Sequence, residues 1–140
     1  MNKGVETIKH NNHIIAIIIY NDYKKDGVEF FTPADFSQQL AYMSHKKGKI
    51  IDAHSHNVAK RDISLTQEAL FVKKGKLKVN LYDSERNFLE SRIIGEGEII
   101  FLASGGHGFE VLEDLEMIEV KQGPHLGAEE DKVRFKGIEK

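Results

Sequence analysis

The chain has 140 residues, 40% hydrophobic and 30% charged, with no cysteine and a formal net charge of -2. That size fits one domain with its own core. The mixed composition excludes a disordered tail, and the missing thiols exclude disulfides, thiolate metal sites and cysteine nucleophiles. Twenty basic against 22 acidic residues create no global field for a phosphate backbone, so nucleic acid is not an expected partner.

The first predicted element is a buried strand over residues 14–20, reading IIAIIIY. It falls far short of the ~20 apolar residues a membrane helix needs. The polar residues after it, from Asn21 to Lys25, do not form a signal-peptide cleavage site. No membrane partner is expected, and the expected location is the cytoplasm. Asp26-Gly27 marks a turn, and residues 28–31 read as a second, short strand. A short helix is expected from Thr32: Thr32 can cap it, Pro33 suits the first helical position, and Phe36, Leu40 and Met43 fall on one face.

From Lys49 the pattern has period two. Residues 49–56 (KIIDAHSH) read as a strand with Ile50, Asp52, His54 and His56 on one face, followed by a polar, basic loop over 57–65. A strand over 67–73 places Glu68, Leu70 and Val72 together, and Lys74-Gly75 reads as a turn. Leu77, Val79 and Leu81 alternate with polar residues up to a hairpin turn at 83–87. Further strands are expected near 88–94, 98–102, 107–112 and 115–121. Turn signals recurring about every ten residues indicate an all-β sandwich or barrel. The charged stretch 124–140 reads as a surface tail.

The strongest chemical signal is His54-Ser55-His56. On a strand, the two imidazoles would face one side about 7 Å apart, a spacing that suits a divalent transition metal. The plain alternative is two exposed histidines on a polar face. A third histidine, His107, follows the glycine-rich stretch 104–106, where positive φ could turn its ring inward. Phe109 and Val111 share its face. Glu68 could add a carboxylate, and Asp52 could orient His54. Near the C-terminal end, Leu115, Met117, Glu119 and Lys121 share one strand face, and Glu116, Ile118 and Val120 share the other. If Met117 faces the core, Glu119 and Lys121 form a cavity-facing acid/base or substrate-binding pair. One register slip would expose both. Lys60, Arg61 and His125 are candidate contacts to a ligand, with solvation as the common fate of such residues. Ser104 belongs to no serine triad.

These spacings resemble the cupin superfamily. Gly48-x5-His54-x-His56 with Glu68-x6-Gly75 is similar to its first motif, and Gly97-x5-Ala103-x-Gly105 with His107 to its second. The longer stretch between His56 and Glu68, and Ala103 at the second motif's proline position, depart from the pattern. The resemblance covers residues 28–122. It implies a single-domain all-β barrel of the double-stranded β-helix, jelly-roll type over 1–140, to which the sequence adds one short N-terminal helix. It also implies His54, His56, Glu68 and His107 as ligands of one divalent metal: Fe, Mn, Ni, Co or Zn.

The implied function is a metal-dependent enzyme acting on a small polar molecule, first choice a carbohydrate, by isomerase, epimerase or oxygenase chemistry, with Glu119 and Lys121 as catalytic groups. Two alternatives stand beside it. One is a metal-free sugar-nucleotide isomerase or epimerase using the paired histidines as acid and base. The other is a non-catalytic binding or sensor protein. A homodimer is expected, with Ile51, Ala69 and Phe71 on the contact face.

Overall fold

The apolar run at 14–20 forms β2 (His13–Ile19), which lies inside the main sheet of the structure, a computed structural model that describes residues 2–139. β1 (Val5–His10) precedes it through a tight turn in which Asn11 and Asn12 both take positive φ, as a two-residue hairpin turn of matching twist requires. A separate hairpin, β3 (Gly27–Phe30) with β4 (Ala41–Ser44), follows. β5 (Glu68–Tyr82) is long and has two neighbours on one edge. Its first part pairs with β7 (Ile99–Leu102), which continues the sheet to β2, and its second part pairs with β6 (Phe88–Ile94). Along its whole other edge runs β8 (Gly106–Lys121). Every pairing is antiparallel.

The β5–β8 ribbon shapes the molecule. In the first part of β5 the buried side chains are Glu68, Leu70 and Val72; in the second Leu77, Val79 and Leu81 face the core, while Asn80 and Tyr82 are buried on the other face, under the C-terminal tail. Even positions face inward before the bend and odd positions after it. Irregular pairing between Val72 and Leu77 supplies that change, since each bulge shifts the phase of the alternation. At the bend Gly75 has φ 91°, and a Cβ there would lie 2.1 Å from the Asp114 carbonyl oxygen, so only glycine fits. The residues expected to turn the chain thus bend one continuous strand. The same holds across 113–114, where the two expected strands are the single β8.

The bent ribbon curls the sheet into a half-barrel. Leu70 and Val72 pack with Leu77, Val79 and Leu81 in a core completed by Ala16, Ile18, Ile94 and Ile100. The other face of the main layer buries Ile17, Ile19 and Phe101 under Leu40 and Phe36. β2 is therefore covered on both faces, which is why its sequence is apolar without alternation. Arg92 on β6 reaches Glu6 on β1 through two short contacts, Nε–Oε1 at 2.9 Å and Nη2–Oε2 at 2.7 Å. The C-terminal tail lies against the second part of the ribbon: Phe135 meets Tyr82 edge-on, and Glu139 accepts from Tyr82 Oη and Asn80 Nδ2, both at 2.7 Å.

Two expected elements are corrected. The helix at Thr32 does not form: residues 32–40 make an irregular loop, and the one described helix is the four-residue α1 (Ala128–Asp131). Few residues were available to offset helix nucleation. Instead Gln39 donates to the carbonyls of Pro33 and Phe36, and Leu40 N donates to Thr32 Oγ1. Phe36 and Leu40 still reach the core, so their apolar positions are used by a loop. The strand expected over 49–56 is also missing. The whole segment 49–64 has no regular structure and is exposed, because no neighbouring strand accepts its backbone hydrogen bonds.

Candidate active site

Glu68 pairs with Lys121 at one end of the β5–β8 ladder, and His107 pairs with Leu81 at the other. Bending the ribbon brings these ends together across the core, so His107 Nε2 lies 3.0 Å from Glu68 Oε1. Gly105 starts the approach of β8 with φ 74°, and a Cβ there would strike the Tyr82 carbonyl oxygen at 2.2 Å. The glycine-rich stretch before His107 therefore carries the imidazole to Glu68, with the ring still about a third exposed. Phe109 stacks on the ring at a centroid distance of 5.3 Å and gives the site an apolar wall.

The inward face of β8 also carries Leu115, which packs on the core, and Glu119, which pairs with Leu70 on the same face as Glu68. Pairing opposite the buried Glu68, Leu70 and Val72 puts Lys121, Glu119 and Met117 on the inner side, and Ile118 and Val120 on the outer side. Burial pushes the Glu68 pKa upward, but hydrogen bonds to His107 and Glu119 outweigh it and hold Glu68 below the usual glutamate value. Its hydrogen bond to Glu68, with burial adding, raises Glu119. Two carboxyls in contact cannot both ionise cheaply, so of the pair Glu119 holds a proton more tightly than Glu68 does. Lys121 Nζ lies 3.2 Å from Asp131 Oδ2 of α1, and this partner raises the Lys121 pKa.

Lys121 also borders a groove of about 450 Å³, lined by Arg61, Ser64, Thr66, His125 and Asp131 among others. A neighbouring groove of about 440 Å³ shares Arg61 and extends to Asp35 and Ser37. Arg61 and His125 thus sit where a ligand could meet them, while Lys60 is solvated.

Of the residues expected to hold a metal, Glu68 and His107 come together and His54 and His56 do not. The two histidines lie in the exposed segment 49–64, their rings 5.5 Å apart, with His54 Nδ1 2.8 Å from the Asp52 carbonyl oxygen. No group of three or more His, Cys, Asp or Glu among the described residues is arranged to hold a metal ion. As placed, the four donors do not fit one centre. Asp131 is a site residue that sequence reasoning missed. Only the acidic run Glu129-Glu130-Asp131 hinted at it, and nothing in the pattern tied that run to Lys121.

Comparison with protein-family models, with curated proteins and with solved structures returns no match. Among the described residues, no helix is long and apolar enough to cross a membrane.

Proposed function

We propose that the chain is a small cupin-type barrel whose mouth binds a small polar molecule and moves protons on it, with carbohydrates or sugar derivatives as the first substrate class. The observation that carries this reading is the buried Glu68 with His107 at 3.0 Å and with Glu119, its pKa raised, beside it on the same face. In an isomerisation or epimerisation, His107 takes a proton from the carbon beside a carbonyl. The Glu68 carboxylate stabilises the imidazolium that forms, and Glu119 supplies a proton to the carbonyl oxygen as charge develops there. His107 then returns its proton to a neighbouring carbon or to the opposite face, and the hydroxyl that becomes the new carbonyl returns a proton to Glu119, so there is no net gain or loss of protons. Phe109 limits water at the ring, and Lys121 with Arg61 offers positive charge to an anionic substituent.

The test is solvent-deuterium wash-in, followed by proton NMR, across a panel of aldoses, ketoses, keto sugars and their nucleotide conjugates. Exchange at one position is expected, falling ~10²–10⁴-fold in His107→Asn and in Glu68→Gln. Saturable binding of a panel member without any exchange would favour the non-catalytic binding reading instead.

The contact of Glu68 with His107 also favours a second reading, in which these two hold a divalent metal that His54 and His56 complete after the exposed segment moves. Elemental analysis of untagged protein beside a His54→Ala/His56→Ala variant tests it. About one equivalent of transition metal per chain, lost in the variant, would support the metal site.

A further inference from the structure

Two features of the chain each lack a partner. The first is β8, which among the described residues pairs only with β5. From Glu110 to Val120 it is exposed at every position except the half-buried Leu115, leaving a long row of backbone donors and acceptors at its free edge. The second is the arm over residues 45–66, of which 49–56 have the period-two pattern of a strand but no ladder among the described residues. It leaves Ile50 at 79% and Ile51 at 61% exposure, and Val58 fully exposed.

The two features match in chemistry. Beside β8, the outward side chains Phe71, Ile118 and Val120 extend the second core past the point where Phe36 and Leu40 cover it. Outside the site, β8 carries Glu110, Glu113, Asp114 and Glu116 against one basic residue, Lys121. Lysines on β5 neutralise one flank of this row, with Lys76 at 3.5 Å from Glu113, and the other flank faces solvent. The arm is basic, with Lys46, Lys47, Lys49, Lys60 and Arg61 against Asp52 and Asp62. An apolar, acidic strand edge and an apolar, basic strand-like segment are complementary surfaces.

We infer that the β8 edge and its outer apolar strip receive the arm of a second copy of this chain, each arm adding to its partner's sheet. Direction selects a second copy over the chain's own arm. The arm is pinned at Gln67, which is buried, accepts from Gln122 N at 2.9 Å and lies beside the C-terminal end of β8. Folded back from there, its own arm would run parallel to β8 in an otherwise antiparallel sheet. A second copy can present the same residues antiparallel.

Zero-length carbodiimide cross-linking of mixed natural-abundance and ¹⁵N-labelled full-length protein, with sedimentation velocity on the same samples, tests this. The expected result is a dimer whose cross-linked peptides join Lys46, Lys47, Lys49 or Lys60 to Glu110, Glu113 or Glu116 with mixed isotope labels. Ile51→Asp/Val58→Asp, at positions exposed in the single chain, should raise the dimer dissociation constant by at least about tenfold without lowering the yield of folded protein. A monomer across the accessible concentration range would overturn the inference and leave the acidic residues as guards of a bare edge. So would links of a single label only, or a dimer indifferent to the double substitution.

Discussion

The β5–β8 ribbon and the segment 49–56 within the arm have similar alternating sequences and opposite fates. In the ribbon, every inward residue on β5 is buried, and the bend brings a carboxylate and an imidazole from opposite ends of a ladder into contact. In the arm, Ile50, His54 and His56 alternate with Ile51 and Ser55 just as regularly, yet the backbone finds no neighbour and the side chains stand in water. Alternation states which face a strand would bury. Whether the strand exists depends on an available edge, because an unpaired strand has no ladder to repay its conformational entropy.

The sharpest way to break this contrast is to truncate matching apolar residues on both sides of it. Leu81→Ala, in the fully buried core, should cost about 2–5 kcal/mol in denaturant unfolding. Val58→Ala in the arm should stay within about 0.5 kcal/mol under conditions where the chain is monomeric. An equal effect at both positions would mean that the arm is packed after all.

Gly75→Ala tests the bend itself. The substitution combines φ 91° with a clash against the Asp114 carbonyl, and should destabilise by about 1–3 kcal/mol or force the ribbon apart there. Amide exchange that quickens around the bend, with the ends of the ladder still protected, would locate the damage.

A smaller effect is expected from pH. Glu119 binds its proton more tightly in the folded chain, so its contribution to stability is complete at low pH and is lost as pH rises from the usual glutamate value through its own raised one. Glu68 has the opposite sign: its contribution is present above the usual value and is lost as pH falls through its lowered one. Glu119→Gln should remove the first dependence, flattening the stability curve on the alkaline side of the carboxylate range. A curve unchanged in shape would show that the two carboxyls do not share a proton.

Much of the fold was legible in the residues. The run at 14–20, the turn at 83–87 and the strands around 88–94 and 98–102 all occur close to where their patterns place them. β1 was missed, although Asn11-Asn12 between two β-like runs is a hairpin signal. The continuity of β5 through Gly75 was hidden because a glycine that ends a strand and one that bends it look alike in sequence. At the site, Glu68, His107, Glu119 and Lys121 were all identified as candidates. Glu68 and His107 were expected to meet around a metal with His54 and His56, whereas their meeting arises from the bend, which no local pattern encodes. The pairing of Lys121 with Asp131 depends on where the tail lies, and that too is a tertiary fact.

The most direct measurement is a ¹³C NMR titration of the glutamate side-chain carboxyls in wild type and in Glu68→Gln. The account predicts two linked transitions, Glu119 above and Glu68 below the ordinary glutamate value, with Glu119 moving back towards that value once Glu68 is replaced. Independent transitions at ordinary values in both proteins would contradict a shared proton at the mouth of the ribbon, and the proposed proton-transfer site with it.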